Sequence, residues 1–311
     1  MKKIIIAGGS GFLGKHLETY FLDKNYLVKI LTRNPKYEND IFWNAKTLGN
    51  WTKELEGADV LINLTGKSVD CRYTEKNKKL IHDSRIDSTQ VLGLAIQGCK
   101  KPPKVWMNSS TATIYRHSLN KEMTEKHGDI GDDFSMNIAK SWESAFNLCE
   151  TYKTRKVILR TSIVLGENGG ALVPLKTLTK LGLGGKQGLG NQKVSWIHVI
   201  DFIKAVEFLI HKKNLKGAFN LSVPKPTNNI TLMNTLRKVL KVPFGISHPI
   251  FLLNLGAKVI GTETELILKS RNVIPERLLQ NNFKFEFTNI ETALRDLTDK
   301  NLTKDKELVS R

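Results

Sequence analysis

Cysteine is scarce in this sequence, and its scarcity limits the sites that the chain can hold. Only three cysteines occur among 311 residues, and no two of them stand at a C-x-x-C spacing. This pattern predicts neither a disulfide framework nor a zinc site. No H-E-x-x-H motif is present either, so we expect no metal site. So few cysteines without pairing are typical of a reducing compartment, and we expect a cytoplasmic protein.

Long apolar runs are also missing. No stretch approaches the roughly 18 uninterrupted apolar residues that a membrane helix needs. The segment "IFLLNLGAKVIG" is broken by Asn254 and Lys258, and the run in "MKKIIIAGG" is too short for the core of a signal peptide. With 40% hydrophobic and 25% charged residues, the composition predicts a soluble globular protein without a membrane partner.

Acidic residues are few relative to basic ones. The chain has 48 lysines and arginines against 30 aspartates and glutamates, which gives a net charge of +18. A basic surface attracts phosphates, nucleic acids and anionic membranes. The excess is spread from end to end, consists mostly of lysine and is accompanied by no nucleic-acid-binding motif. We therefore predict no nucleic-acid partner, and nucleic-acid binding remains an alternative that rests on charge alone.

A glycine-rich loop near the amino terminus separates an apolar run from a helical pattern. "KIIIA" (3–7) is typical of a buried parallel strand, and "KHLETYFLDK" carries apolar residues at helical spacing. Strand, glycine loop and helix follow each other in the order of a dinucleotide-binding site. The glycines stand at G-x-x-G-x-x-G spacing. The residues predicted to contact a dinucleotide here are Gly8, Ser10, Gly11, Phe12, Leu13 and Gly14.

The second predicted strand, "LVKILT" (27–32), bears on the choice of cofactor. In a dinucleotide site, an acidic residue at the end of this strand binds the ribose 2′-hydroxyl of NAD, and an arginine favours the 2′-phosphate of NADP. Here Thr32 and Arg33 follow the strand, and no carboxylate occurs before Glu38. The sequence therefore predicts NADP(H) as the cofactor, with a surface turn capped by Arg33 as the alternative.

A third apolar strand within "EGADVLINLTG" (56–66) also ends beside the predicted cofactor. Strand ends on the carboxyl edge of a doubly wound sheet line the binding crevice. Leu64, Thr65 and Gly66 should therefore touch the dinucleotide. Arg85 lies on the helix that follows, where it can reach a phosphate or the carboxamide or can be an ordinary surface arginine.

Taken together, these segments resemble the extended short-chain dehydrogenases, the group that contains sugar-nucleotide epimerases and dehydratases. More narrowly, the chain is similar to the YfcH-type epimerase family proteins, an atypical branch with a C-terminal domain of unknown function. The motifs that carry the resemblance are "GGSGFLG", "INLTGKSV", "DSRIDST", "SSTATIY", "SWESA", "LRTSIVLGENGGAL", "LGLGGKQGLGNQKVSWIHVID" and "VIPERLLQNNFKFEF". They cover the chain in order from residue 1 to about residue 297.

The resemblance implies an α/β fold, with a Rossmann-like doubly wound parallel sheet and a smaller C-terminal substrate domain. The NADP-binding domain should span residues 1–223, with a substrate-domain insertion near 168–196. The small C-terminal domain should span 224–297, and the charged segment 298–311 should be a flexible tail. The implied partner is a small-molecule substrate that the sequence does not identify, and a homodimer is the assembly that we consider.

In the dehydrogenase family a tyrosine exchanges a proton with the reacting oxygen, and a lysine four residues later lowers the pKa of that tyrosine. A serine or threonine on the preceding strand loop binds the same oxygen. By resemblance, Thr111 is the family hydroxyl, and Ser109 in the same loop should contact the cofactor. We predict Thr111 and Lys140 as the catalytic residues.

The tyrosine itself is missing from the helix where the resemblance places it, "DDFSMNIAKSWESAF" (132–146). Met136 and Lys140 occupy the two positions in one alignment. A shift by one residue places Ser135 and Ala139 there instead. Because a thioether has no proton to give, the usual acid-base step cannot use position 136.

Two literal Tyr-x-x-x-Lys patterns occur elsewhere in the chain. Tyr152 and Lys156 lie at the start of the predicted strand "KVILRTSIVLG" (156–166), on the amino edge of the sheet. Tyr20 and Lys24 end the first helix, which leads away from the crevice. Because the active site belongs to the carboxyl edge, we predict that both pairs have structural roles.

Four features of the second half bear on the site. Val164 should lie near the nicotinamide, because it approaches the carboxyl end of its strand. The glycine-rich segment 181–192 is predicted to be mobile or close to ligand, or else a flexible surface loop. His198 is a candidate catalytic acid or a core histidine, with the core favoured. Asp201 is predicted as the N-cap of a helix.

Two functions fit these residues. The first is an NADP-dependent oxidoreductase or epimerase, in which the cofactor carries the hydride and a residue such as Thr111 binds the reacting oxygen. The second is a non-catalytic NADP-binding sensor or interaction protein, which the missing tyrosine favours. No residue pattern identifies the substrate.

Overall fold

A computed structural model describes residues 1–260 and 263–299 and contains twelve strands in that part of the chain. Seven of them form one parallel sheet in the order β11-β6-β5-β4-β1-β2-β3. The strands are β1 (Lys3–Ala7), β2 (Leu27–Thr32), β3 (Asp40–Phe42), β4 (Val60–Asn63), β5 (Val105–Thr111), β6 (Arg155–Thr161), β7 (Ile163–Gly166), β8 (Gly169–Gly170), β9 (Lys193–Val194), β10 (Trp196–His198), β11 (Gly217–Leu221) and β12 (Thr227–Asn228). The order 3-2-1-4-5-6 confirms the predicted Rossmann-like doubly wound sheet.

Helices cover both faces of this sheet. They are α1 (Phe12–Asp23), α2 (Glu75–Gln97), α3 (Phe134–Leu148), α4 (Leu172–Leu178), α5 (Val199–His211), α6 (Asn229–Val239), α7 (Ile250–Ile260), α8 (Glu265–Leu268), α9 (Glu276–Gln280) and α10 (Ile290–Thr298). None of the helices among the described residues is long and apolar enough to cross a membrane.

The continuous apolar strands follow from this double covering. Successive side chains of a strand point to opposite faces, so Ile4 and Ile6 join one core and Ile5 joins the other. The first core contains α1, α5 and, from the C-terminal segment, α6 and α10. The second contains α2 and the end of α3. Both faces of β1 are therefore buried, as the uninterrupted apolar run "KIIIA" predicts.

The carboxyl ends of β1 and β4 lie side by side where the strand order reverses. Ala7 pairs with Asn63 in β4, and Asn63 pairs with Asn108 in β5. The two asparagine side chains also bind each other, with Nδ2 of Asn63 2.7 Å from Oδ1 of Asn108. This junction is the topological switch point, where open α/β sheets bind their ligands.

The run "KVILRTSIVLG" is two strands rather than the single strand that the sequence predicts. The chain leaves the main sheet at Ser162, whose N–H and hydroxyl both donate to the carbonyl of Leu221, at 3.0 and 2.8 Å. Beyond it, β7 pairs with β10 and β8 in a separate three-stranded sheet. Apolar β-branched residues fit either strand, so their pattern does not reveal where the chain changes sheets.

Asp201 is not the N-cap of α5, contrary to the prediction. His198 caps this helix through its Nδ1, which accepts the N–H of Ile200 at 3.1 Å. The Asp201 carboxylate instead accepts the backbone N–H groups of Glu286 and Phe287, at 2.7 and 2.9 Å, and so ties the C-terminal segment to α5. The predicted domain boundaries at 223 and 297 remain predictions, and residues 300–311 of the predicted tail lie outside the described residues.

Candidate functional site

The glycine loop between β1 and α1 packs against the end of β4. Gly8 has a φ of +71°, a left-handed conformation that favours glycine. A methyl carbon on Gly8 would lie 2.8 Å from Oγ1 of Thr65 and 2.9 Å from its Cα. On Gly14 it would lie 2.2 Å from the carbonyl oxygen of Gly9. The backbone of the loop therefore runs closely along the strand ends and the first turn of α1.

The amino end of α1 is open to an anion. Gly11 is its N-cap and has no side chain to bind the first N–H groups, and the first turn contains no acidic residue. The N–H groups of Phe12, Leu13 and Gly14 therefore point out of the amino end of the helix. This end carries a partial positive charge. A dinucleotide pyrophosphate fits such an end, with Ser10 at the turn beside it.

The end of β4, which Leu64 follows directly, forms the other side of the crevice. The N–H of Thr65 donates to Oδ1 of Asn63 at 3.0 Å, but its hydroxyl is buried without a hydrogen-bond partner in the described chain. A methyl carbon on Gly66 would lie 3.1 Å from Cζ of Arg85. At this strand end, where the cofactor is predicted, the crevice thus has a hydroxyl without a hydrogen-bond partner in the described chain. The space between Gly66 and the Arg85 guanidinium is narrow.

Arg85 is not the surface arginine of the alternative interpretation. Its Nη1 donates to the carbonyls of Lys67 and Ile81 at 3.0 and 2.9 Å, and its guanidinium lies 5.0 Å from the ring centre of Trp142. It forms no ion pair within residues 1–260 and 263–299. Burial therefore lowers the pKa of Arg85 to about 10. A partly buried cation without a carboxylate partner in the described chain, next to Gly66, suits a negatively charged or carbonyl-bearing ligand.

The turn after β2 carries an exposed arginine, Arg33. Thr32 is buried, and its hydroxyl accepts the N–H of Asn34 at 3.3 Å, so Thr32 rather than Arg33 braces this turn. Arg33 is exposed and binds none of the described residues. The nearby Asp40 carboxylate is already occupied by the N–H groups of Lys36 and Tyr37.

A glycine hairpin packs over the first residue of α1. Val164, in β7, is buried with 8% exposure. Beyond it, methyl carbons on Gly166 and Gly169 would lie 2.4 and 2.3 Å from ring atoms of Phe12. These contacts bring the β7–β8 hairpin to the glycine loop. The proximity of Val164 to the nicotinamide itself remains a prediction.

The hydroxyl loop at the end of β5 contains three neighbouring hydroxyls in different roles. Ser110 is buried and donates to Oε1 of Glu143 at 2.6 Å, so its hydroxyl is committed to the helix α3. Thr111 is partly buried, and its hydroxyl lies 3.0 Å from that of Thr113. Ser109 is partly buried and accepts the side-chain amide of Asn108 through its carbonyl, at 2.9 Å. The Thr111 Oγ1 also accepts the N–H of Thr113 at 3.1 Å, so this oxygen is fixed and its O–H can donate to a substrate oxygen in place of Thr113.

A buried polar network lies directly beneath this loop. Arg160 in β6 binds Glu143 through Nε and Nη2, at 2.8 and 2.7 Å. Its Nη1 donates to the Tyr115 hydroxyl at 2.8 Å, and that hydroxyl donates to Oδ1 of Asn220 at 2.9 Å. The network joins β5, β6, β11 and α3, and it is not among the features predicted from the sequence. Two sequence features could have indicated the network. They are the single arginine inside the apolar strand "KVILRT" and the single glutamate in "SWESA".

On α3, the two predicted positions have different surroundings. Met136 is buried and packs on Gly131, where a methyl carbon would lie 2.1 Å from its sulfur. Lys140 is partly exposed and its ammonium pairs with Asp132 at the start of the helix. In the alternative alignment, Ser135 donates to Glu265 and Ala139 is fully buried. A role for Lys140 at the nicotinamide ribose remains a prediction and requires it to leave Asp132.

The two literal Tyr-x-x-x-Lys pairs lie away from the crevice. Tyr152 is 87% exposed in the loop before β6. Tyr20 and Lys24 both bind Glu207, at 2.6 and 2.7 Å, and thereby tie α1 to α5. Tyr152 therefore lies on the surface, and Tyr20 and Lys24 have a structural role. Both outcomes agree with the prediction that these pairs lie away from the carboxyl edge of the sheet.

His198 and the glycine-rich segment 181–192 are parts of the packed structure. His198 has no exposed surface, stacks on Phe287 at 3.9 Å and lies 3.3 Å from Asp296. The glycine-rich segment is paired with the following chain, since Gly185 donates to Ile246 at 3.1 Å and Gly188 donates to His248 at 2.8 Å. Its glycines permit this close pairing of backbones, and the proximity of the segment to a ligand remains a prediction.

Comparisons with known proteins agree with this architecture. Residues 4–222 match the family model "NAD dependent epimerase/dehydratase family", and residues 249–297 match a domain of unknown function, DUF1731. An epimerase family protein of Staphylococcus haemolyticus is 33% identical over 301 residues, which are 96% of this chain and 100% of that protein. One from Staphylococcus aureus strain N315 is 33% identical over 303 residues, 96% and 99% of the two chains.

Solved structures are similar over almost the whole chain. The human epimerase family protein SDR39U1 (isoform 2), solved with NADPH, is 28% identical with a TM-score of 0.87 over 96% of this chain and 99% of that one. A nucleoside-diphosphate sugar epimerase from Corynebacterium glutamicum is 24% identical with a TM-score of 0.78, over 99% of this chain and 61% of that one, and supports the fold alone. The chain therefore belongs to the NAD dependent epimerase/dehydratase family, in the branch that carries a C-terminal DUF1731 domain.

Proposed function

We propose that this protein binds NADP(H) and acts as an oxidoreductase or epimerase on a small molecule. The observation that carries the proposal is the open amino end of α1, which the glycine loop holds against the end of β4. The loop would hold the pyrophosphate, and Leu64, Thr65 and Gly66 would line the other side of the crevice. The human relative solved with NADPH supports this choice of cofactor.

Arg33 would select NADP(H) over NAD(H). It follows β2, lacks a partner among the described residues and has no carboxylate beside it that could bind a ribose 2′-hydroxyl. Its guanidinium would bind the 2′-phosphate through charge-assisted hydrogen bonds. Arg85 would neutralise charge or bind the carboxamide deeper in the crevice.

Replacing Arg33 with alanine should weaken NADPH binding about tenfold and leave NADH binding unchanged. A hydrogen bond to a charged group contributes about 1.5–3 kcal/mol, and exposure to solvent and salt keeps this one near the lower end. Fluorescence titration with each cofactor measures the effect. Lys153→Ala, which removes an exposed charge before β6, is the control for net charge. Equal weakening for both cofactors would contradict selection by the 2′-phosphate.

When bound, the nicotinamide supplies hydride transfer, and the residues of this chain orient the substrate. Thr111 would hold the reacting oxygen, since Ser110 is engaged with Glu143. The position of Thr111 is maintained by the Arg160 network beneath it. A cytoplasmic location fits this cofactor, and we propose the homodimer as the assembly to be tested by sedimentation.

Replacing Thr111 with valine should reduce turnover at least a hundredfold for any substrate found in a screen of carbonyl compounds and nucleotide sugars. Loss of a donor to the developing oxyanion has an effect of about 10²–10³ on kcat. Thr111→Ser retains the hydroxyl and should keep most of the activity. The screen follows NADPH oxidation at 340 nm and, for epimerisation, inversion of the substrate stereocentre by NMR. Equal activity of the valine and serine variants would remove Thr111 from the mechanism.

A non-catalytic NADP(H)-binding sensor is the second candidate. The methionine at position 136 and the ion pair of Lys140 with Asp132 favour it. Under this alternative the protein would bind NADPH tightly, and no compound in the screen would oxidise it.

A further inference from the structure

Exposed apolar side chains gather where the glycine-rich segment 181–192 pairs with the chain before α7. The N–H of Ile246 donates to the carbonyl of Gly182 at 2.9 Å. A methyl carbon on Gly182 would lie 3.0 Å from the ring of Phe244, and one on Gly188 would lie 3.7 Å from Ile250. These contacts bring six exposed apolar side chains to one surface, counting chain neighbours of the paired residues: Leu181, Leu189, Phe244, Ile246, Ile250 and Phe251.

The start of α7 continues this surface. Phe251 and Leu255 are four residues apart on the helix, so they lie on the same side of it. Phe251 is 70% exposed and Leu255 is 59% exposed. Single exposed apolar side chains are ordinary on a protein surface, whereas a contiguous group of them marks an interaction site.

The same part of the chain holds most of the net positive charge. Residues 168–260 contain 13 lysines and arginines but only two acidic residues, Asp201 and Glu207, and so account for eleven of the eighteen net charges. This concentration corrects the interpretation that the excess is spread from end to end. Asp201 is buried and binds backbone N–H groups, and Glu207 pairs with Lys24. Neither carboxylate therefore neutralises the exposed lysines of this region.

Three exposed lysines border the apolar side chains. Lys180 directly precedes Leu181, and Lys241 lies three residues before Phe244. Lys186 lies within the paired glycine-rich segment. None of the three lysines forms an ion pair in the part of the chain that the structure describes. We call the six apolar side chains and these three lysines the basic apolar surface.

We propose that the basic apolar surface binds the surface of an anionic lipid bilayer. Its leucine, isoleucine and phenylalanine side chains would enter the boundary between the headgroups and the acyl chains. Its lysines would attract the phosphates of anionic headgroups. Each kind of side chain on this surface thus has a matching layer in the membrane.

The combination of charge and apolar area decides among the partners. A second copy of this chain would bring the lysines of both copies together, and like charges repel. A nucleic acid would bind the lysines through its phosphates but would leave the apolar side chains in water. An anionic bilayer offers a layer of phosphates with an apolar layer directly beneath it.

Binding of this kind differs from the membrane association that the sequence argues against. The prediction of no membrane partner rests on the lack of a long apolar run, which a spanning helix needs. A protein that lies on a membrane needs no such run, because only its exposed side chains enter the lipid. Such binding also does not require the cofactor or the reaction proposed above.

Cosedimentation of the full chain with vesicles tests the role of the lysines. We expect binding to vesicles of equal parts phosphatidylglycerol and phosphatidylcholine, and at least tenfold weaker binding to phosphatidylcholine alone. Salt should weaken the first interaction by screening it. The triple variant Lys180→Gln, Lys186→Gln, Lys241→Gln should bind the anionic vesicles at least tenfold more weakly than the wild type. Its control replaces three exposed lysines elsewhere and changes the net charge equally: Lys100→Gln, Lys101→Gln, Lys153→Gln.

The apolar side chains are tested separately, at unchanged charge. The double variant Leu181→Ser, Phe251→Ser should bind the anionic vesicles at least tenfold more weakly, because it removes apolar area that enters the lipid. Leu148→Ser, Tyr152→Ser is the matched control, since these two side chains are 77% and 87% exposed on another part of the surface. The control should bind like the wild type.

Failure of the wild type to bind the anionic vesicles would overturn the proposal. Equal losses in a variant and its control would do the same, since they would show attraction by net charge or general hydrophobicity alone. Loss of self-association in Leu181→Ser, Phe251→Ser without loss of vesicle binding would assign the surface to a second copy. Urea unfolding shows whether each variant is folded, and if the serine variant is not, the lysine variant decides by the same comparison.

Discussion

Replacing Gly8 with alanine should reduce NADPH affinity by at least a hundredfold. The added methyl carbon would approach the Thr65 backbone to 2.9 Å, and φ at this position is +71°. The loop must then move away from β4 and withdraw its N–H groups from the pyrophosphate. Loss of two hydrogen bonds to a charged group, at about 1.5–3 kcal/mol each, corresponds to a factor of 10² or more.

Gly57→Ala is a matched control for this variant. Gly57 has a φ of +69°, nearly that of Gly8, but a methyl carbon there meets no atom within 4 Å. Both variants carry the same left-handed strain of about 1–2 kcal/mol, and only Gly8→Ala also displaces the loop. Fluorescence titration with NADPH and urea unfolding separate the two effects. Wild-type NADPH affinity in Gly8→Ala would show that the loop is not the pyrophosphate site.

Replacing Arg160 with methionine should destabilise the protein by about 3–5 kcal/mol. This change leaves the buried Glu143 carboxylate without its bidentate partner, and an uncompensated buried charge has an effect of this size. The side chains of Arg160 and Glu143 are only 12% and 10% exposed, so water screens the pair weakly. The free energy of unfolding in urea measures the loss.

The double variant Arg160→Met, Glu143→Leu should recover much of this stability, because it removes the unpaired charge together with its partner. Arg295→Met, which removes an exposed ion pair with Glu291, should have a much smaller effect. A double variant no more stable than Arg160→Met would show that the ion pair is not the source of the destabilisation. The single variant should also reduce turnover, since Ser110 and Thr111 adjoin the network.

The strand, glycine loop and helix at the predicted cofactor site could be predicted because they depend on residues close together in sequence. Gly8 to Gly14 form the loop after β1 and the start of α1 within one short segment. Arg33 was located by its distance from the end of one strand. The edge of the sheet also explained why Tyr152 could not be the catalytic tyrosine, since strand direction follows from chain order.

The polar interior could not be predicted in the same way. Glu143 is 33 residues from Ser110 and 17 residues from Arg160 along the chain, and Asn220 is further still from Tyr115. Nothing local distinguishes a glutamate that binds a buried arginine from one on a helix surface. Asp201 shows the same limit. Its position suited an N-cap, but two backbone N–H groups from residues 286 and 287 bind it instead.

The sequence by itself predicted the doubly wound parallel sheet, and it places a methionine or a serine where the resemblance expects a tyrosine, because strand periodicity and residue identity are local properties. Only the tertiary structure decided which polar groups meet. It committed Ser110 to Glu143 and buried His198 against Phe287. Such contacts join segments that the folding of the sheet brings together, and their energies depend on burial, which no local pattern specifies.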